Sequence, residues 1–490
     1  MLRKCVSLGN LGLAIKGFDS EIADLYGPRT ASDPSHPGGY SNLSFLEDSE
    51  TPWVRLFVVW SFFWPNPPAP FGESSSVPYQ SPVPSSAQNY NQVLAQVRDL
   101  DRNIQTAKTA GRKVILTTLG YPKWLNGTDP SSVTEIVLVG PNAVLPPDSV
   151  LMMPAATPPG GRMAFLPTDF MYSRWIHDLI LRYHPRSPFR PTPDTWIDAL
   201  ELVNEPNASF PAGSRPPIVN KALSATPSHS TALMMRTAQS VKTHLNNAYG
   251  GGMKLLGPAT GDSDGLTGSA DPRVFTADVI DELTGDGRQP IVDRDFGWSH
   301  HNYADVALIG QTLSGLGSLP DPVLKRLAPL FYGPKTQQVR GILDGKWFGW
   351  GTEGDPDPLL FLTEGGARLE SLIPGHKHLG DLNTDYSARP PRDPEAYRKQ
   401  LQKYSVGGAA QALRGVSSGG LRKPFGGVGV GVGVGAGVQM FTNFLFFDNS
   451  GAVFSGLCDQ YGPGRKPPAS NETATQYMRP AYAAWKKFGL

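Results

Sequence analysis

The stretch that decides the fold reads Asp198-Ala-Leu-Glu-Leu-Val-Asn-Glu-Pro-Asn207. Its apolar part, 199–203, has the composition of a buried strand with one interior acid. Pro206 has no backbone N–H and cannot extend a ladder of strand hydrogen bonds. The sequence therefore predicts that Glu205 projects from the carboxyl end of a buried strand, where α/β barrels place their reactive groups.

A second apolar run also ends in an acid. The segment Pro358-Leu-Leu-Phe-Leu-Thr-Glu-Gly-Gly366 is typical of a strand that two glycines terminate, and it leaves Glu364 at the strand end. Glycoside hydrolysis needs one carboxyl group to protonate the leaving oxygen and another to attack the sugar or activate water. Glu364 is therefore the predicted partner of Glu205. The two carboxyl groups are expected ~5 to 5.5 Å apart in a retaining enzyme and ~6.5 to 9.5 Å apart in an inverting one.

These two strand ends resemble the clan of retaining glycosidases on (β/α)8 barrels, in which Asn-Glu-Pro follows strand 4 and a Glu ends strand 7. Within the clan, the chain is most similar to glycoside hydrolase family 5, the cellulase-like family, with family 39 a near alternative. The resemblance implies that Glu205 is the acid and base, that Glu364 is the nucleophile, and that Asn204 binds the 2-hydroxyl of the sugar.

A charged residue interrupts the apolar run Trp53 to Trp60. Arg55 lies inside this predicted strand, and an isolated buried charge is so costly that the guanidinium needs a partner. The resemblance implies that Arg55 supports the carboxylate of the nucleophile. The alternative is an arginine at a barrel end with its head group in solvent.

Further candidates lie at the ends of two other predicted strands, 296–305 and 113–120. The triplet His301-Asn302-Tyr303 resembles the His-x-Tyr of the clan, which implies that Tyr303 donates its hydroxyl to the nucleophile and that His301 contacts the substrate or the acid. Trp124 is expected either to stack on a sugar ring or to pack beneath a loop. The adjacent His300 and His301 could also bind a metal ion. No cysteine or helically spaced histidine accompanies them, so no metal or cofactor is predicted.

Strand-like and helical patterns alternate along the chain, which predicts a parallel α/β fold. The resemblance implies closure into a single (β/α)8 catalytic domain over residues 1–490, with insertions on the catalytic face at about 62–89, 126–167 and 368–392. The predicted strands cover 11–18, 53–60, 113–120, 199–203, 254–259, 296–305, 358–364 and 438–448. The predicted helices cover 93–107, 171–183, 231–248, 274–283, 337–343, 397–412 and 473–488.

Composition excludes several partners. A formal net charge of +1 over 490 residues gives no basic surface for nucleic acid, and no apolar run approaches the ~20 residues that cross a bilayer. Cys5 and Cys458 lack metal-ligand spacing and are expected to be unpaired thiols, with a disulfide as the alternative. The first residues do not form a signal peptide, so the protein is expected in the cytoplasm, or outside the cell if a leader has been removed.

The predicted function is hydrolysis of a β-glycosidic bond in a small glycoside or oligosaccharide, by double displacement through a covalent glycosyl-enzyme. The long insertions favour a pocket closed at one end. Three alternatives stay open: an endo-acting enzyme of the β-glucanase or mannanase type with an open cleft, a transglycosylase, and a carbohydrate-binding barrel without activity. The predicted partner is a carbohydrate, and no oligomeric state is predicted.

Overall fold

The structure, a computed structural model, describes fifteen segments of the chain. They are residues 3–8, 49–60, 90–119, 136–139, 162–165, 168–202, 204–207, 227–261, 271–284, 296–317, 319–346, 360–367, 394–414, 438–444 and 479–489.

These segments contain ten strands, which are β1 (Arg3–Leu8), β2 (Trp53–Val59), β3 (Lys113–Leu119), β4 (Ile136–Val139), β5 (Arg162–Phe165), β6 (Ala199–Glu201), β7 (Lys254–Thr260), β8 (Phe296–His301), β9 (Leu360–Glu364) and β10 (Val438–Phe444). Eight of them close a barrel in the order β1-β10-β9-β8-β7-β6-β3-β2. Its strands are parallel, as in β3-β6-β7, whereas β4 and β5 form a separate antiparallel pair. The predicted (β/α)8 fold is confirmed.

Helices connect the barrel strands. They are α1 (Tyr90–Thr109), α2 (Thr168–Tyr183), α3 (Pro227–Tyr249), α4 (Pro272–Thr284), α5 (Tyr303–Ser314), α6 (Asp321–Leu327), α7 (Lys335–Lys346), α8 (Pro394–Leu413) and α9 (Pro480–Lys487), with a 3-10 turn at Ala328–Phe331. Within the described segments, none of these helices has both the length and the apolar character needed to cross a bilayer.

The first barrel strand lies earlier in the chain than predicted. The sequence pattern placed it at 11–18, which falls outside the described residues, whereas the strand that pairs with β10 and β2 is Arg3–Leu8. The two basic residues at its start concealed it. The Lys4 ammonium donates to the carbonyl of Ser49 at 2.5 Å, and the Arg3 guanidinium lies 5.7 Å from the ring centre of Trp53. Long basic side chains can therefore occupy the start of a buried strand by reaching outward.

The helix α5 was also missed. Strand β8 ends at His301, and the chain enters α5 directly at Tyr303, so the predicted strand exit to Asp305 is wrong. Eight of the twelve residues of α5 are buried, including consecutive ones from Tyr303 to Ala307. A helix buried on most of its faces shows no amphipathic period, which is why the sequence pattern did not indicate it.

By contact density the chain divides into two compact units. The first comprises Met1–Leu56, His300–Gly341 and Leu359–Leu490, and the second comprises Phe57–Ser299 and Ile342–Pro358.

The core of the first unit is aromatic at its C-terminal helix. Trp485 is fully buried, with its ring centre 5.7 Å from that of Phe441 on β10 and 5.6 Å from that of Phe488. Its indole N–H donates to Thr51 Oγ1 at 3.1 Å, so the buried ring leaves no unsatisfied donor. Helix α9 is thereby anchored to the segment that leads into β2.

In the second unit, Asp198 joins three elements just before β6. Its carboxylate accepts the Lys108 ammonium and the Val114 N–H, both at 2.8 Å. The same ammonium lies 3.2 Å from the ring centre of Trp196. One carboxylate therefore ties the end of α1 and the start of β3 to the chain that carries Glu205.

His184, just after α2, predicts a pH-dependent stability. Its Nδ1 accepts the N–H of Arg186 at 3.1 Å and its Nε2 lies 3.3 Å from Asn246 Oδ1, an arrangement that suits the neutral ring. Burial lowers the pKa of His184. Because the folded pKa lies below the unfolded one, the contribution of His184 to stability is complete above about pH 6.5 and is lost as the pH falls through the lowered pKa.

The expected result is that His184→Gln lowers the melting temperature at pH 7.5 more than at pH 5. Thermal unfolding of both proteins at the two pH values measures this difference. The exposed His244 on α3 provides the matched control, and His244→Gln should follow the wild type at both. An unchanged gap between wild type and His184→Gln would contradict the interpretation.

Candidate active site

Glu364, the last residue of β9, has a partner on each carboxylate oxygen. Its side chain is nearly buried, with 4% of the residue exposed. Oε2 lies 2.5 Å from Nη1 of Arg55, and Oε1 accepts the hydroxyl of Tyr303 at 2.7 Å. Arg55 on β2 is fully buried. The ion pair therefore offsets the high cost of burying both the guanidinium of Arg55 and the carboxylate of Glu364.

His301 completes what we call the Glu364 cluster, formed by Arg55, His301, Tyr303 and Glu364. Its Nε2 lies 3.4 Å from Nη2 of Arg55 and 3.7 Å from Oε2 of Glu364. A guanidinium can only donate hydrogen bonds, so the contact with Arg55 favours an unprotonated Nε2 and a proton on Nδ1. The ring of Tyr303 stands edge-on to the imidazole, at 87°.

The backbone at the ends of β8 and β9 holds this cluster together. The N–H of Asn302 donates to the carbonyl of Glu364 at 3.0 Å, which joins the exit of β8 to the exit of β9. Gly365 follows Glu364, and a Cβ there would collide with Oδ1 of Asn302. Gly365, which the sequence pattern indicates only as a strand terminator, therefore also leaves space for the side chain of Asn302.

A buried polar network extends from Asn302. Its amide Nδ2 donates to the hydroxyl of Tyr332 at 2.7 Å, and that hydroxyl lies 2.9 Å from Oγ1 of Thr336. Both Thr336 N and Oγ1 donate to Oδ2 of Asp305 at 2.6 Å, and Lys335 N donates to Oδ1 at 3.0 Å. Burial raises the pKa of Asp305, while the donors from Thr336 act in the opposite direction. The turn into α5 is thus fixed to the start of α7.

Glu205 lies in the second unit, in an unusual backbone conformation. Its φ is 48°, in the left-handed region that residues other than glycine rarely adopt. The N–H of Glu205 donates to the carbonyl of Ala259 at 2.8 Å, and Asn204 forms a parallel bridge with the same residue. Such strained residues persist only where the surrounding structure holds them, and they concentrate at functional positions.

Asn207 fastens the chain after Glu205 to the end of β7. Its Oδ1 accepts the N–H of Gly261 at 2.6 Å, and its Nδ2 donates to the carbonyl of Gly261 at 2.7 Å. Asn207 is 4% exposed. We call this pair of hydrogen bonds the Asn207 clamp. The sequence pattern gave Asn207 no role, because its partner lies 54 residues away.

The structure thus groups four of the predicted site residues in the Glu364 cluster and places two more, Asn204 and Glu205, together beside the end of β7. Trp124 and Cys458 lie outside the described residues. Cys5 is buried in β1. The insertions at 62–89 and 368–392 also lie outside, and the one at 126–167 is described only at β4 and β5.

The chain matches no protein-family model and no curated protein sequence. Among solved structures, it is similar to a glucosidase from Croceicoccus marinus (12% identity, covering 100% of this chain and 70% of that chain, TM-score 0.42). A family 39 glycoside hydrolase from Bacteroides cellulosilyticus WH2 gives 11% identity, 99% and 63% coverage and a TM-score of 0.40, so this chain spans less than two thirds of that one. For a family 1 β-glucosidase from Thermotoga maritima the identity is 11%, the match covers 100% of this chain and 98% of that chain, and the TM-score is 0.43. These solved structures are glycoside hydrolases of more than one family, and none of them fixes the family of this chain.

Proposed function

We propose that the protein is a retaining glycoside hydrolase. The observation that carries the proposal is the Glu364 cluster, in which a nearly buried carboxylate at a barrel strand end accepts from Arg55 and from the hydroxyl of Tyr303. A carboxylate held by a cation and a hydroxyl is kept in one orientation, as a nucleophile must be. Catalytic groups of (β/α)8 enzymes come from the carboxyl ends of the strands, which is where Glu364 lies.

Glu205 supplies the second carboxyl group in this proposal. It follows β6 as Glu364 ends β9, and the carboxyl ends of the strands share one end of a parallel barrel. The two roles need unequal proton affinities. In this proposal Glu364, which is paired with Arg55, is the nucleophile, and Glu205 supplies the proton.

The proposed reaction has two steps. In the first, Glu205 transfers its proton to the glycosidic oxygen, the bond from that oxygen to the anomeric carbon breaks, and an oxygen of Glu364 bonds to the same carbon. In the second, Glu205 takes a proton from water, the water oxygen attacks the anomeric carbon, and the bond to Glu364 breaks. Asn204 would bind the 2-hydroxyl of the sugar. The ~5 to 5.5 Å separation of a retaining pair stays a prediction.

A panel of nitrophenyl α- and β-glycosides tests the proposal. The expected result is release of nitrophenol from at least one β-glycoside, with the β-anomer of the sugar seen first by proton NMR. If the α-anomer appears first, the enzyme inverts the anomeric configuration and the proposed retaining mechanism is wrong. A second series tests oligosaccharides of β-glucan and mannan. If the protein binds sugars but cleaves neither the glycosides of the panel nor these oligosaccharides, it is a carbohydrate-binding barrel and the proposed hydrolase is wrong. Transfer to added sugar in place of hydrolysis would identify a transglycosylase.

Tyr303→Phe is expected to lower kcat/KM about 10- to 100-fold, because a hydrogen bond to a charged group contributes ~1.5 to 3 kcal/mol. The ring that packs against His301 is kept, so the variant should still fold, with a melting temperature lower by the few degrees that one buried hydrogen bond contributes. Steady-state kinetics on a substrate found in the panel measure the effect. Tyr397→Phe is the matched control in the same unit, since the Tyr397 hydroxyl donates to the carbonyl of Ser314 at the end of α5, at 3.3 Å. Equal losses in both variants would contradict a role at Glu364.

A further inference from the structure

We propose that Asn207 is a positioning residue, which fixes the carboxyl group of Glu205 through the backbone of Gly261. The inference rests on the proposed function, because it concerns the residue that would act as acid and base. It concerns only residues of the second unit.

The Asn207 clamp holds Gly261 at two points. A side-chain amide that accepts from the N–H and donates to the C=O of the same residue fixes both the position and the orientation of that residue. Both bonds, at 2.6 and 2.7 Å, are short for hydrogen bonds that involve nitrogen donors. Since Asn207 is 4% exposed, water has little access to replace them.

Gly261 in turn forms the surface against which the Glu205 side chain lies. A Cβ at Gly261 would stand 3.0 Å from Cγ, 3.1 Å from Cδ and 3.1 Å from Oε1 of Glu205. The carboxyl group therefore rests directly on the bare Cα of this glycine, and a displacement of Gly261 moves the surface that limits where the carboxyl group can go.

The backbone of Glu205 makes this support necessary. A left-handed φ of 48° is unfavourable at a residue with a side chain, and the backbone relaxes unless neighbours prevent it. The Ala259 carbonyl holds the N–H of Glu205, and the Asn207 clamp holds the chain two residues later. The two attachments therefore restrain the chain on both sides of the Glu205 Cα, and both are made to the exit of β7.

A displaced acid has a distinctive kinetic signature. Protonation by Glu205 matters for leaving groups that depart poorly and is almost unnecessary for those that depart as stable anions. Asn207→Ala is therefore expected to lower kcat/KM about 100-fold for an alkyl or unsubstituted phenyl glycoside and less than about 3-fold for the dinitrophenyl glycoside of the same sugar. A merely structural loss would lower both to the same extent.

Gly261→Ala provides a second variant that does not touch Asn207. Its φ is not in the left-handed region, so alanine fits the backbone, while the new methyl group pushes on the Glu205 carboxyl group. The same dependence on the leaving group is expected. Asn246→Ala is the matched control, because it removes another asparagine side chain of this unit, one that contacts His184 at 3.3 Å.

The experiment measures kcat/KM for the leaving-group series in wild type, Asn207→Ala, Gly261→Ala, Asn246→Ala and the double variant Asn207→Ala with Glu205→Ala. The double variant should be no slower than Glu205→Ala alone, because the clamp acts through that residue. Equal loss on all leaving groups, or additive losses in the double variant, overturns the inference. If Asn207→Ala does not fold, Gly261→Ala decides by the same criterion. A wild type that cleaves none of the glycosides would instead remove the proposed function itself.

Discussion

Glu364→Gln is expected to lower kcat by roughly 10⁴- to 10⁶-fold, the loss that follows removal of an enzyme nucleophile. The amide keeps the shape of the side chain and can still accept the Tyr303 hydroxyl bond, now seen at 2.7 Å, but it cannot form a stable bond to the anomeric carbon. It also leaves the buried Arg55 without its anion. A fall in stability of up to ~3 to 5 kcal/mol accompanies the loss, so activity must be measured well below the melting temperature.

Mass spectrometry separates loss of the nucleophile from loss of the fold. A 2-fluoro glycoside with a good leaving group should add one sugar to the wild type, on a peptide that contains Glu364, because the fluorine slows the second step more than the first. Glu364→Gln should stay unlabelled while it still binds the sugar. Glu282→Gln, at an exposed acid on α4, is the control for the same chemical change and should be labelled like the wild type. Labelling of another residue would remove Glu364 from the role.

Glu205→Ala should produce a loss that depends on the leaving group. Without the acid, alkyl glycosides should react ~10² to 10⁴-fold more slowly, whereas the first step with a dinitrophenyl glycoside should proceed almost unchanged. The second step then lacks a base, so the glycosyl-enzyme accumulates and a rapid release of nitrophenol precedes a slow steady rate. Azide, which attacks without losing a proton, should restore turnover and give the β-glycosyl azide.

The contrast between the two variants assigns the roles. Should Glu364→Ala, rather than Glu205→Ala, be the variant that spares the dinitrophenyl substrate and gives the β-glycosyl azide, the acid and the nucleophile are reversed. Glu282→Ala serves as the control and should respond to azide no more than the wild type does.

Local patterns predicted the parts of the fold that local chemistry determines. The runs that end at Glu205 and Glu364 are apolar because strands of a parallel barrel are covered on both faces, and the proline or glycines that follow mark their ends. Arg55 was expected to need a partner on the cost of a buried charge alone, and the structure gives it Glu364. Its catalytic role stays a prediction, as do those of His301 and Tyr303.

What sequence did not indicate depends on distant pairing. The Asn207 clamp joins residues 54 positions apart, and Asp305 receives its donors from Lys335 and Thr336. Nothing in a single sequence specifies such partners, although two features were visible: an asparagine closing the Asn-Glu-Pro segment and an acid inside an apolar run after Tyr303. Strand β1 was misplaced because its basic residues reach out of the barrel, and α5 was missed because burial on most faces removes its period.

The left-handed backbone conformation of Glu205 lowers the stability of the folded chain at this residue. A deficit of ~1 to 3 kcal/mol at one residue is a large share of the ~5 to 15 kcal/mol by which domains remain folded. Glycine adopts this backbone conformation without that cost, and under the proposed function the need for a carboxyl group is the reason that a glutamate stands here. Under the proposed function, position 205 is therefore a place where stability and activity oppose each other.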